Sequence, residues 1–320
     1  MNTKTIIFTI LLLTAFIVTS IVALSSAKKM TTVPTYDDSA NNPDFFMTRV
    51  IYTKFNHDGE IRNTVITNKM IHFTTNNVGL FEKPQITLYN STEEPCNIIA
   101  NQGRSDKGKE KIYLWDNVKI TQKVGPNNPD LNVITTALTF YPETKLAETK
   151  ESVTIIQNDD ITEAVGAEAN FKTESIKLWS KVVHTKFDEQ GQIKYKVYTD
   201  TTTHLINDKV YLLEKPQIII FNPKEEPCQI TANHGKSKDD NKTIHLRENV
   251  RVIQAAGLHN SDLDVTTTAL TFYPETKLAE TTEPVTVIQN GNTTKAVGAK
   301  INLRTSEVKF ISKFEGVFNL

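Results

Sequence analysis

The chain repeats itself at a fixed offset of 132 residues. EKPQI stands at Glu82–Ile86 and again at Glu214–Ile218, and EEPC at Glu93–Cys96 and Glu225–Cys228. The run TTALTFYPETKLAET is identical at Thr135–Thr149 and Thr267–Thr281, and AVGA at Ala164–Ala167 and Ala296–Ala299. An offset that never changes marks a tandem duplication without insertions, and two such copies share one fold. A chain of 320 residues has room for two ordinary domains. We therefore divide it into an apolar segment 5–24, a polar tether 25–45, and repeats 46–180 and 181–320. No flexible linker breaks the offset near Ser180 and Lys181, so the two repeats are expected to stack head to tail with continuous edges.

Differences between the copies show what the fold tolerates. Trp115 becomes Arg247, Tyr113 becomes His245 and Asn97 becomes Gln229, while Ile112, Leu114, Ile98 and Ala100 persist as Ile244, Leu246, Ile230 and Ala232. Changed and unchanged positions alternate, which is the pattern of strands with one sheltered face. Thr, Asn, Ile and Val are plentiful, which suits strands and turns. In the first repeat the segments Val50–Phe55, Thr64–Thr67, Ile86–Tyr89, Cys96–Asn101, Lys111–Leu114, Val118–Gln122, Leu138–Tyr141, Val153–Gln157 and Ala167–Thr173 read as strands. Turn signals between them include Asp58-Gly59, Lys83-Pro84, Gln102-Gly103, Asp116-Asn117 and Asn158-Asp159. Turns spaced by roughly ten residues predict a sandwich, jellyroll or other folded antiparallel sheet. Gly59 and its twin Gly191 are expected to hold the first hairpin of each repeat, because a tight turn needs a positive φ there; Gly108, in a charged loop, serves as the contrast.

Alternation predicts an inward stripe of Ile51, Thr53, Phe55, Ile86, Leu88, Ile98, Ala100, Ile112, Leu114, Val118, Ile120, Leu138, Phe140, Val153 and Ile155. The stripe fits either a closed core or an apolar groove. Cys96 and Cys228 are repeat equivalents, a whole repeat apart, so they are expected to remain free and inward-pointing rather than bridged.

Ile6–Leu24 carries no charge, and as a helix it is ~29 Å long, matching the ~30 Å hydrocarbon thickness of a bilayer. A cleaved secretory signal ending at Ser25-Ser26-Ala27 is the alternative. The run is longer than the ~7–15 residues of a signal core, which favours an uncleaved anchor.

A net charge of −1 with mixed signs excludes the basic footprint of a general nucleic-acid binder. Seven scattered histidines and two cysteines give no metal-ligand spacing, and no metal or other cofactor is expected. GxSxG, HExxH, CxxC and Walker-type loops are absent from the sequence, and no catalytic residue is proposed. Glu143 and Glu148, with twins Glu275 and Glu280, read as strand-end surface groups rather than a catalytic carboxylate pair.

Several motifs in fixed order, each seen twice, are similar to the LptC family and its OstA-like β-jellyroll relatives. They begin with VIYTKFNHDGEIRNTVITNKMIHF at Val50–Phe73, matched by VVHTKFDEQGQIKYKVYTDTTTHL at Val182–Leu205. Strands ending in A-N-x-G follow at Ala100–Gly103 and Ala232–Gly235, then L-x-x-N-V at Leu114–Val118 and Leu246–Val250. T-T-x-L, E-T-x-x-x-V and A-x-G-A complete each set. The resemblance covers roughly Asp44–Ser312 plus the anchor. It implies an all-β protein of two tandem antiparallel jellyroll modules after one transmembrane helix, where a typical family member has a single module.

The resemblance further implies a non-enzymatic role in lipopolysaccharide transport from the inner to the outer membrane. Residues 5–24 would anchor the chain in the inner membrane, with residues 28–320 in the periplasm. Its partners would be lipopolysaccharide, an inner-membrane ABC transporter and a soluble periplasmic bridge protein of the LptA kind, joined by edge-strand stacking. Lipid acyl chains would lie along Ile51, Phe55, Ile86, Ile98, Leu114, Val118 and Phe140, with twins Val183, Phe187, Ile218, Ile230, Leu246, Val250 and Phe272. The rival reading is an envelope-anchored structural or adhesive β-repeat with a closed core.

Overall fold

The computed structural model describes residues 43–317 apart from 75–76, 91–92, 107–109, 124–129, 207, 223–224, 239–241 and 259. The apolar segment 5–24, nearly all of the tether and Gly108 lie outside the described residues. No helix among the described residues is long and apolar enough to cross a membrane.

The first repeat forms β1 (Phe45–Phe55), β2 (Ile61–Phe73), β3 (Val78–Glu82), β4 (Gln85–Asn90), β5 (Glu93–Ile99), β6 (Gln102–Asp106), β7 (Lys111–Gln122), β8 (Leu131–Tyr141), β9 (Leu146–Gln157) and β10 (Asp160–Asn170). The second continues with β11 (Ser175–Phe187), β12 (Ile193–Thr199), β13 (Thr201–Leu205), β14 (Val210–Glu214), β15 (Gln217–Ile220), β16 (Cys228–Thr231), β17 (His234–Lys238), β18 (Thr243–Gln254), β19 (Leu263–Tyr273), β20 (Leu278–Gln289), β21 (Asn292–Asn302) and β22 (Glu307–Val317). All pair antiparallel in one continuous sheet.

Each repeat follows one route through that sheet. The start of β2 pairs with β4 and its end with β3. Two lanes, β4–β5 and β3–β6, then converge on the two halves of β7. From β7 the sheet runs strand by strand to β11, which pairs backward with β10 and forward with β12 and β13. The joint between repeats is therefore a shared strand. β22 pairs with β21 in the register that β11 uses on β10: Thr293 faces Val317 as Ile161 faces Thr185.

A crease crosses the sheet at one level. Asp116 and Asn117 have φ of 63° and 57°, Gly166 has 78° and Lys181 has 50°. Ladder register shifts beside them, at Trp115/Val118, Thr135/Thr139 and Val165/Ala167. Bulges bend and twist a strand, so a row of them folds the sheet over. They also free backbone carbonyls, and buried threonines take these up. Thr149 Oγ1 donates to the Ala137 carbonyl at 2.7 Å, and Thr135 Oγ1 to the Ser152 carbonyl at 2.9 Å. Both threonines lie in the longest identical run of the duplication, and Thr267 repeats the bond to the Pro284 carbonyl at 3.0 Å.

Folding over the crease brings the lanes face to face. Ile86, Ile98 and Ile120 on one side pack with Ile112, Leu138 and Phe140 on the other. Each such side chain, fully buried, stabilises the fold by about 1.5–3 kcal/mol. Cys96 and Cys228 are free and buried, and burial pushes both thiols up to about 12.

Two sequence expectations change. Asp116-Asn117 is a bulge inside one long strand, not a turn between two, because its polar residues tolerate positive φ without ending the ladder. The stripe also fails on β1, and on β11 its phase is reversed. Ile51 and Phe55 are 70% and 56% exposed. On β11 it is Val182, His184 and Lys186 that face the interior, while Val183 and Phe187 lie half-buried on the other side. β1 carries apolar residues on both faces (Val50, Ile51, Tyr52, Phe55), so alternation alone could not set its phase.

Candidate functional site at the repeat junction

The interior of the first repeat is not filled. A cavity of about 590 Å³ runs from β8, β9 and β10 across β11 to β12 and β14. Phe140, Ala147, Val153, Ala167, Ala169 and Phe171 form one side. Leu178, Val182, Val197 and Leu213 form the other. Phe140 and Phe171 meet edge to face with centroids 6.4 Å apart. Polar residues, among them Asn63, Thr135, Thr149, Thr162 and Thr202, share the wall with the apolar ones, and Lys186 Nζ donates to Asp160 Oδ2 at 2.6 Å within it.

The second repeat shows why the space exists. At the position of Asn63 it has the larger Tyr195 and at Ala169 the larger Ile301, whereas Leu303 is smaller than its twin Phe171; all three are at most 2% exposed. These join one continuous core with Ile218, Ile230, Leu246, Val250 and Phe272. Its end is sealed by a polar plug. Lys277 Nζ donates to the Phe221 carbonyl at 2.8 Å and to Asn222 Oδ1 at 2.6 Å, and Asn222 Nδ2 donates to the Leu303 carbonyl at 3.1 Å. Burial, with Arg304 and Lys194 nearby, holds the Lys277 ammonium below its ordinary pKa. Its twin Lys145 lines the cavity instead.

Of the inward stripe read from sequence, Leu88, Ile120, Leu138, Phe140, Val153 and Ile155 line this cavity, while Ile86, Ile98, Ile112, Leu114 and Val118 lie in the packed core beside it. Ile218, Ile230, Leu246, Val250 and Phe272 lie in the sealed core. Ile51, Phe55, Val183 and Phe187 do not line the cavity. Sequence reasoning missed Ala169, Phe171, Leu178 and His184. The available signal was the loss of side-chain volume between twins, Ile301 against Ala169 and Tyr195 against Asn63. Gly59 and Gly191 sit in their hairpins with φ of 82° and 75°.

The four candidate carboxylates hold structural contacts. Glu143 pairs with Lys54 and Arg62, and Lys54's hydrogen bond lowers its pKa. Glu275 pairs with Lys194, Glu280 with Lys300, and Glu148 accepts a bond from the Tyr141 hydroxyl at 2.7 Å. No cluster of His, Cys, Asp or Glu among the described residues could hold a metal ion.

A creased antiparallel sheet around an apolar hollow defines an all-β, jellyroll-like protein. The chain belongs to the LptC-related lipopolysaccharide-assembly family, whose sequence model matches it twice, over residues 10–184 and 180–319. The two matches overlap within β11, the strand that serves both repeats. No curated protein matches the chain. Membership places the protein in lipopolysaccharide transport, a role of lipid handling rather than catalysis.

Proposed function

We propose that the chain is a membrane-anchored periplasmic bridge that shelters lipopolysaccharide acyl chains and passes them from an inner-membrane ABC transporter to a soluble bridge protein. The cavity across the repeat junction carries this reading. Each sheltered methylene is worth ~0.8 kcal/mol, so acyl chains need a dry path through an aqueous compartment. The two sheet ends support the partner assignment. Among the described residues β1 and β22 each pair on one side only, and β1 exposes Phe46, Met47 and Ile51. Such edges template the addition of another strand. Residues 5–24 supply the anchor.

A structural or adhesive repeat is the second reading, favoured by the sealed core of the second repeat. A photocrosslinker at Phe140 separates the two in cells. The bridge reading expects it to trap lipopolysaccharide and the same group at outward-facing Lys119 not to. Equal labelling at both positions rejects the bridge.

A further inference from the structure

The outer face of the second repeat carries charge that its twin does not. On β17 Gly235 and Ser237 are buried, so Lys236 and Lys238 point outward. On β18 buried Ile244 and Leu246 turn His245 and Arg247 out beside them, with Lys236 opposite His245. Burial, then Lys238, Lys236 and Arg247, hold the His245 pKa below its ordinary value, so the three cations bear on one spot. None of the three forms an ion pair among the described residues. The nearby acids are engaged elsewhere: Glu280 pairs with Lys300 at 3.0 Å, and Glu214 and Glu248 lie 2.9 and 3.7 Å from His234. The fold does not require such a cluster. One repeat back the same positions hold Arg104, Asp106, Tyr113 and Trp115, where Arg104 Nε donates to Asp106 Oδ1 at 2.7 Å and the two rings lie 5.6 Å apart. Clustered like charges repel, and an anion laid over them relieves the repulsion. Two leucines share the face. Leu212, 40% exposed, stands opposite Lys236 in the ladder, and Leu278, 37% exposed, points outward because Ala279 is buried.

We propose that this face docks on an anionic bilayer surface, with Lys236, Lys238 and Arg247 over headgroup phosphates and Leu212 and Leu278 at the edge of the acyl region. The mixture of groups selects the occupant. Free phosphate or an acidic peptide would engage the cations alone, whereas a lipid surface offers anions and apolar depth side by side. The inference goes beyond the carrier reading, since it involves neither the cavity nor its cargo. It gives the chain a second membrane contact, far along the sequence from residues 5–24.

Quenching by spin-labelled lipid headgroups tests this on the full chain. A fluorophore on Thr243→Cys, opposite Lys238 in the ladder, reports the face, and one on Lys111→Cys, its twin position, reports the first repeat. Cys96 and Cys228 are buried and stay unlabelled. The vesicles are phosphatidylcholine, alone or with phosphatidylglycerol. Quenching at position 243 is expected to rise severalfold in the anionic vesicles and to be lost in about 0.5 M NaCl, which screens exposed charges. At position 111 it should stay low in both. Lys238→Gln and Arg247→Gln should each weaken docking about fivefold, the share of one cation near an anionic surface, without moving the denaturation midpoint. Leu212→Ser should weaken it as well. Several results overturn the docking: equal quenching in the two vesicle types, equal quenching at the two positions, or quenching that survives both glutamine exchanges. Loss of quenching in inorganic phosphate, at an ionic strength where NaCl leaves it intact, overturns it too and assigns the cations to a soluble anion.

Discussion

The two repeats share a sheet route, a crease and a run of fifteen identical residues from Thr135 and from Thr267, yet one interior is hollow and the other solid. The difference lies in a few side chains. Tyr195 and Ile301 occupy what Asn63 and Ala169 leave open, and the Lys277–Asn222 plug closes an end at which Lys145 only lines the wall. The crease and its threonines thus specify the fold, while volume at a handful of inward positions decides whether the fold encloses space. Duplication allows this division: one copy can keep a cavity while the other supplies a rigid, fully packed neighbour for the shared strand.

The largest expected effect comes from giving the second repeat the residues of the first. Tyr195→Asn empties a large, fully buried site and should cost about 3–5 kcal/mol, read as a lowered denaturation midpoint. Adding Ile301→Ala should make a crosslinker at Phe272, silent in the wild type, begin to label lipid. Unchanged stability would mean that Tyr195 does not fill the core. The reverse exchange is milder. Ala169→Ile places the second repeat's side chain into existing space, so stability should hold while fatty-acid probe affinity falls about tenfold, or ~1.4 kcal/mol. Undiminished binding would place the lipid elsewhere.

Much of this comparison was legible in the sequence. The duplication, the all-β class and the inward alternation at Ile86, Ile98, Ile112 and Leu114 needed only period and offset, because in these strands one face is apolar and the other polar. The phase of β1 was not legible, since both of its faces are apolar. In the sequence the crease at Asp116-Asn117 looks like a turn, because the same residue types serve turns and bulges. The cavity depends on how volumes from β8 to β14 sum in space, and no local pattern reports that sum.

Acid should strain the junction before it strains the second repeat. Burial depresses the His184 pKa, so below 6.5 the unfolded chain gains a proton that the folded ring resists. Stability is then complete above the unfolded value and falls as pH drops from 6.5 toward the lower folded value, with a slope of at most ~1.4 kcal/mol per pH unit. His184→Phe should flatten that slope. His245 is also depressed, mainly by burial and then by Lys238, Lys236 and Arg247, but it is far less enclosed, so His245→Phe should flatten it less. Denaturation midpoints between pH 7.5 and roughly 5 decide this, and equal flattening by both variants would remove the junction's special sensitivity.

The smallest expected difference between the repeats lies in their first hairpins. Gly59 and Gly191 have φ of 82° and 75°, and a Cβ at either would meet nothing within 4 Å. The cost of Gly59→Ala is therefore backbone strain alone, about 1 kcal/mol, and Gly191→Ala should cost the same. The crease glycines provide the contrast. A Cβ on Gly166 would lie 2.6 Å from Trp179 Cε3, whereas one on Gly298 would lie 3.1 Å from Ile311 Cβ. Gly166→Ala must displace an indole in the joint strand as well as strain the backbone, so it should destabilise more than Gly298→Ala. If the hairpin pair diverged while the crease pair agreed, the hairpins, and not the cavity and crease, would be where the two copies part ways.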